Sequence, residues 1–268
     1  MNLQNILNEI EKVDGEIFDR LAHVSRRGLF SSLTKKTIAL AAPAVMASAL
    51  NKSYGQALPQ GVKDVLNFAL ALEYLEFTFY DYGHNLAMIP TNYKPAFELI
   101  RQHEQVHVRL LKSVLGADAI AMPKFDFSAG GIFTDTFTNF ATFSAIAQTF
   151  EDTGVRAYKG QAGNLQVAKP ILQVALQIHA TEAAHAANVR YMRGQKGWIT
   201  GGTAALSGLP SVVDGNYKGE ENTVQANVDL AAALAGDNRI TPAMVMQAFD
   251  EPLDKATVLG LVAPFFAK

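Results

Sequence analysis

The chain contains no cysteine. Disulfide bridges, zinc–thiolate centres, iron–sulfur clusters and cysteine nucleophiles are therefore excluded. Charge is scarce and nearly balanced: 18% of the residues are Asp, Glu, Lys or Arg, and the net charge at pH 7 is −2. Such a surface has no basic field to gather nucleic acid, and no nucleic-acid partner is expected. No uncharged apolar run reaches the roughly 18 residues that a spanning helix needs, so no stable membrane span is expected. What remains is a chain of 268 residues, 49% of them hydrophobic. That length and composition can bury one large core without covalent staples.

The informative feature is a pattern that occurs twice. Glu73, Tyr80, Glu104 and His107 each return 78 residues later, as Glu151, Tyr158, Glu182 and His185. Each copy has a Glu, a Tyr seven residues on, and a Glu-x-x-His that begins 31 residues after the first Glu. On a helix, Glu-x-x-His projects both side chains from one face, about 4.5 Å apart along the axis. One such pair alone means little, because solvated helix faces carry many. Two of them, each preceded at the same interval by a carboxylate in an apolar stripe, are harder to dismiss. A carboxylate among Leu and Phe is costly to bury unless it is paired or bound to a metal. Glu73, Glu104, His107, Glu151, Glu182 and His185 make the ligand set of a two-metal carboxylate site inside a four-helix bundle. Glu104 and Glu182 are expected to bridge the two ions, with Glu73 and His107 on one ion and Glu151 and His185 on the other. Oxygen and nitrogen donors without sulfur suit iron, with manganese the alternative and zinc an occupant in vitro.

Apolar periodicity and stop signals predict four long helices, over 61–83, 93–115, about 134–159 and about 165–192, with Gly83, Gly116 and Gly194 as stops. The run 117–133 is rich in Gly, Pro and Asp and reads as a long crossover between two helical hairpins. The expected fold is an all-α, antiparallel four-helix bundle over 56–194, followed by a C-terminal extension of loops and short helices over 195–268. Two helices of that extension are expected near 222–236 and 241–264, and it carries no visible chemistry. Glu76 shares the face of Glu73, yet its repeat position holds Gly154. Glu73 is thus the symmetric ligand, and Glu76 is either an extra ligand or a supporting group. Tyr80 and Tyr158 read as core aromatics bonded to a buried carboxylate, or as groups that orient a ligand or supply an electron. His103 and His179 have Thr181 and Arg101 as repeat mates, and they read as ordinary polar residues.

Residues 1–52 form a separate segment. Arg26 and Arg27 precede a moderately apolar stretch from Thr37 to Leu50, and Ala47-Ser48-Ala49 resembles a small-residue cleavage site. This pattern predicts Tat-type export to the periplasm or the exterior. Leu3, Ile6, Leu7, Ile10, Val13, Ile17 and Leu21 recur at helical spacing. The alternative is therefore a retained amphipathic arm on a cytoplasmic protein.

The segments ALEYLEFTFY and TFEDTGVRAY and the pairs EQVH and EAAH resemble bacterial ferritin-like proteins of the branch related to plant desiccation-related proteins. The resemblance covers about residues 60–192, and FDEPLDKATVLGLVAPFF near the C-terminus is similar to that branch as well. It implies a ferritin-like four-helix bundle with a di-iron centre, and no one settled activity. The leading expectation is oxidation of Fe(II) or consumption of peroxide, with O₂ or peroxide as the small-molecule substrate. Its rivals are a manganese-catalase-like enzyme and a non-catalytic metal-binding stress or desiccation-type structural protein. A homo-oligomer is compatible with the sequence, but the long extensions argue against the usual storage cage.

Overall fold

A computed structural model describes residues 58–267. The arm and export signal expected over 1–52 lie outside the described residues. Four long helices dominate: α1 Gln60–Gly83, α2 Lys94–Leu115, α3 Phe140–Gln161 and α4 Lys169–Met192. Helices α2 and α4 each carry a proline in the first turn, where the missing N–H costs nothing. Gly116, at φ 57, ends α2 in a left-handed backbone conformation that few residues tolerate. Helix α3 starts at Phe140, later than the sequence pattern suggested. The Thr- and Asp-rich segment before it satisfies itself locally, with the Thr136 hydroxyl donating to the Phe127 and Phe133 carbonyls. Asn139 then caps the helix by accepting from the Ala141 N–H. Helix α4 likewise starts a turn later than expected, because 162–165 forms a separate 3₁₀ turn.

The helices pair as two antiparallel hairpins, α1 with α2 and α3 with α4. Tyr80 lies against Phe97 at one end of the first hairpin, 6.1 Å between ring centroids. At its other end the Asn67 side chain joins the chain just beyond α2, donating to the Asp118 carbonyl and accepting from the Ile120 N–H. Helix α1 also crosses α3 antiparallel, since Tyr80 meets Glu151 and Tyr158 meets Glu73. The two ends of the bundle are filled differently. One is aromatic: Phe79 stacks on Phe143 at 4.6 Å and meets Phe150 edge-on at 5.3 Å. The other is aliphatic, with Leu66, Leu111, Ile171 and Ile178 all buried. The carboxylates of the repeat lie in the plane between these two fillings.

The C-terminal extension is more broken than its hydrophobic pattern suggested. The helix expected over 241–264 is two pieces, α6 Pro242–Met246 and α7 Lys255–Val262. Pro252 interrupts it, and Asp254 caps the second piece by accepting from the Thr257 N–H at 2.9 Å. The helix expected near 222–236 is a small hairpin, β1 Val224–Gln225 with β2 Val228–Asp229, followed by the single-turn α5 Leu230–Ala233. Ala226 and Asn227, at φ 50 and 65, supply the two positive angles that such a tight turn needs. Backbone hydrogen bonds tie the last part of the extension to the crossover and to α3. Asp126 in the crossover donates its N–H to the Phe265 carbonyl at 2.8 Å, and the Ala267 N–H donates to Lys124 at 2.9 Å. The Leu253 N–H donates to the Arg156 carbonyl of α3 at 3.1 Å.

That last contact needs a glycine. A Cβ on Gly160 would lie 1.9 Å from the Leu253 carbonyl oxygen. Gly160→Ala is therefore expected to push the extension off α3 and destabilise the protein by about 1–3 kcal/mol. Urea unfolding measures this; an unchanged midpoint would refute the close approach. Among the described residues no helix is long and apolar enough to cross a membrane.

Candidate metal centre

Each of the four long helices contributes to one buried cluster at mid-height. Glu73 from α1, Glu104 from α2, Glu151 from α3 and Glu182 from α4 are all 0% exposed, and His107 and His185 are 7% and 4% exposed. Four carboxylates in so dry a place repel one another unless protons or cations intervene. The two imidazoles approach them in a particular pattern. His107 Nδ1 lies 3.1 Å from Glu73 Oε2, 3.1 Å from Glu104 Oε2 and 3.3 Å from Glu182 Oε1. His185 Nδ1 lies 2.8 Å from Glu104 Oε1, 3.3 Å from Glu151 Oε2 and 3.8 Å from Glu182 Oε2. Glu104 and Glu182 thus divide their two oxygens between the imidazoles, while Glu73 and Glu151 each face only one. Glu73, Glu104, His107 and Glu182 form one group whose donor atoms lie within 4.8 Å of one another, and Glu104, Glu151, Glu182 and His185 form a second.

Several of these atoms are near each other without being hydrogen bonded. Glu104 Oε1, Glu151 Oε2, both oxygens of Glu182 and His185 Nδ1 are buried with no hydrogen-bond partner. A buried polar atom without a partner costs about 1–3 kcal/mol. Five of them converging from three helices fit cations held at their centre. The donor set also fits, being oxygen and imidazole nitrogen with no sulfur in the chain.

The groups around the cluster orient it. The Tyr80 hydroxyl donates to Glu151 Oε1 at 2.5 Å, and the Tyr158 hydroxyl donates to Glu73 Oε1. Each tyrosine therefore serves the carboxylate of the other repeat, which the antiparallel crossing of α1 and α3 brings opposite to it. One oxygen of each terminal carboxylate is held by the hydroxyl, which leaves the other aimed at the cluster. Glu76 is buried beside them at 3% exposure. A Cβ at Gly154 would lie 3.1 Å from Glu76 Oε1 and 3.4 Å from Glu182 Oε2. The absent side chain at 154 is what makes room for the fifth carboxylate. His103 Nδ1 lies 2.9 Å from His185 Nε2, so His103 is a neighbour of the cluster and not the uninvolved polar residue its lack of a repeat mate suggested. Its one sequence signal was the H-E-x-x-H spelling of 103–107, a zinc-protease pattern. Here the Glu of that pattern joins the carboxylate cluster. His179 stays apart, bonded to the Val155 carbonyl at 3.0 Å.

Without a metal, protons must supply the balancing charge. Burial, reinforced by Glu182 and Glu104, raises the Glu73 carboxyl to about 8 in spite of His107. Burial likewise raises Glu76 and Glu151 well above the usual carboxylate range. Against their own burial, the neighbouring carboxylates hold His107 and His185 protonated far above an ordinary imidazole. Glu104 and Glu182 resist burial because both imidazoles face them, and they are held below their ordinary value. These directions favour protons on Glu73, Glu76, Glu151 and the two imidazoles, and charge on Glu104 and Glu182, when no metal is bound.

A second buried polar network joins the bundle to the extension, and nothing in the repeat announced it. Asp152 accepts from Arg190 Nη2 at 2.5 Å and from the Tyr217 hydroxyl at 2.6 Å. Arg156 pairs with Glu220 at 2.7 Å and donates to the carbonyls of Asn216, Lys218 and Glu251. Set beside known proteins, residues 61–195 match a family model described as a ferritin-like domain. No curated protein matches the chain.

Proposed function

The chain belongs to the ferritin-like domain family, and on that premise we propose that it holds a carboxylate-bridged pair of iron ions and uses them to oxidise Fe(II) or to consume an oxidant. The observation that carries this reading is the division of the Glu104 and Glu182 oxygens between the two imidazoles. Glu73 and His107 would complete one coordination set and Glu151 and His185 the other, with Glu104 and Glu182 shared. A pair of redox-active divalent ions supplies two electrons to dioxygen or a peroxide. The chain's own part is to exclude water, to aim the terminal carboxylates through Tyr80 and Tyr158, and to keep Glu76 protonated beside them.

Binding should displace protons in a countable way. Two divalent ions bring four positive charges, which the four carboxylates balance once His107, His185, Glu73 and Glu151 give up their protons. Loading is expected to release about four protons per pair of ions, read in weakly buffered solution near pH 7. Release of fewer than about two would refute the protonation pattern. The stability of the metal-free protein should follow the same groups. Glu73 is raised in the folded state from 4.5 to about 8, so its folded form keeps a proton that the unfolded form has lost. Its contribution is present at low pH and declines as pH rises through that window. The two imidazoles act in the same direction, their stabilisation being lost as pH climbs through their raised values.

Anaerobic loading with Fe(II), followed by admission of oxygen, tests the activity. Oxygen uptake in proportion to bound iron supports the redox reading. Binding of two ions with no oxygen uptake and no peroxide consumption refutes it in favour of a metal-binding stress protein. Manganese in protein purified from its native host, with peroxide disproportionation, would favour the catalase-like rival. Tat-type export belongs to the same proposal. N-terminal sequencing of the native protein tests it: a start near residue 50 supports export, and an intact Met1 refutes it.

A further inference from the structure

A buried cavity of about 20 Å³ lies inside the aliphatic end of the bundle. That exceeds the roughly 10–15 Å³ one water-sized body requires. All four long helices line it, and every lining residue except Val174 is buried. Its walls are almost wholly hydrocarbon, and the only polar side chains among them are Tyr158 and Gln161. The Tyr158 hydroxyl is bonded to Glu73, and Gln161 Oε1 accepts from Asn164 at 2.9 Å.

The position of the cavity is as informative as its lining. Ala69 lies four residues before Glu73, Leu111 four after His107, and Ile178 four before Glu182. Each of these spacings is one helical turn, about 6 Å along the bundle. The cavity is therefore one turn from the carboxylate cluster, on the same side in all three helices, and Tyr158 borders both. At the opposite end Phe79, Phe143 and Phe150 pack ring against ring.

We propose that this cavity holds dioxygen and delivers it to the carboxylate cluster. A water there would need two or more polar partners, and walls that are almost wholly hydrocarbon offer few. Hydrogen peroxide, with two O–H donors and acceptor oxygens, meets the same cost of unmade hydrogen bonds. Dioxygen makes no such demand and gains contacts with the surrounding methyl groups. The cavity thus selects between the two oxidants left open by the proposed function, in favour of O₂. The inference rests on that reading only for what becomes of the gas afterwards. Val174, the one partly exposed lining residue, marks where the cavity comes nearest to solvent.

Xenon is the probe for the cavity, because it occupies dry apolar space and can be located by diffraction. Crystals of the protein pressurised with xenon are expected to show a peak bordered by Ala69, Leu111 and Ala175. Xenon elsewhere or nowhere overturns the proposal. Ala175→Leu fills the space from a position about two helical turns before Glu182. It is expected to lose the xenon peak, keep two-ion binding, and raise the half-saturating oxygen concentration about tenfold. The response to hydrogen peroxide should not change. An unchanged oxygen dependence in a folded, two-ion variant overturns the proposal. The two readings fail separately. A chain that takes up xenon but binds no metal pair refutes the metal centre and leaves the gas cavity standing, whereas a metal pair with no xenon refutes the cavity alone.

Discussion

Replacing Glu104 and Glu182 together by alanine abolishes the binding of a metal pair. Among the described residues these two carboxylates alone face both imidazoles, at 3.1 and 2.8 Å for Glu104 and at 3.3 and 3.8 Å for Glu182. Without them each terminal set retains one carboxylate and one imidazole, too few donors to replace the hydration of a divalent ion. Affinity should fall by more than about a thousandfold, or roughly 4 kcal/mol, and calorimetric titration should find no two-ion stoichiometry. Glu104→Gln with Glu182→Gln serves as the control of similar volume: it keeps the packing and removes the charge, and it should fail as the alanines do. Glu76→Gln should still bind two ions, since Glu76 belongs to neither donor group. Two ions bound by the doubly substituted chain would mean that the ligand assignment is wrong. The same experiment has a thermal readout. Saturating metal at about a thousand times its dissociation constant adds roughly 4 kcal/mol to the wild type. For a folded region of this size that raises the melting temperature by about 10 °C. The substituted chain should show no such rise, and coincident wild-type curves with and without metal would sink the site.

Arg190→Leu should be the most destabilising single change away from the centre. The Arg190 guanidinium is 1% exposed and pairs in bidentate fashion with Asp152, itself 2% exposed. It also reaches the Trp198 carbonyl at 3.1 Å, so its removal strips a buried carboxylate of its counter-charge and leaves a carbonyl unpaired. Breaking one side of a buried pair costs about 3–5 kcal/mol, more than the pair contributes when intact. Because Asp152 is adjacent to Glu151 and the Tyr217 hydroxyl also bonds to it, the loss should loosen the extension from α3 and disturb the cluster next door. Denaturant unfolding of metal-free protein measures the cost. Adding Asp152→Leu to Arg190→Leu should recover part of the stability, because no isolated charge then remains, and a double-mutant cycle isolates the coupling. If both substitutions simply add, the pair is not an energetic unit.

The legible part of this protein is the part written at helical period. The apolar stripe of α1 and the glycine that ends α2 are local signals, and the observed helices lie within a few residues of the expected ones except where α3 begins late. There the competing hydrogen bonds of Thr136 and the Asn139 cap outweighed a weak apolar pattern. The extension was harder to read. Its apolar content suggested two short helices, but Pro252 and the turn at Ala226-Asn227 divide it into still shorter pieces. Neither Arg156 nor Arg190 is part of the repeated Glu, Tyr and Glu-x-x-His pattern. Only the folded chain brings Glu220 and the Asn216 carbonyl to Arg156, and Tyr217 to Asp152, from 60 residues or so further along.

On a helix the direction of a side chain follows from its position in the chain, so a duplicated spacing of Glu, Glu and His was enough to single out six residues that the bundle brings together. Which groups serve which was decided only when α1 and α3 crossed antiparallel. That crossing gave Tyr80 to Glu151 and Tyr158 to Glu73, set Glu76 in the space left by Gly154, and brought His103 of α2 against His185 of α4. Periodicity is a property of neighbouring residues and can be read along one helix, whereas partners across helices depend on the packing of the whole core.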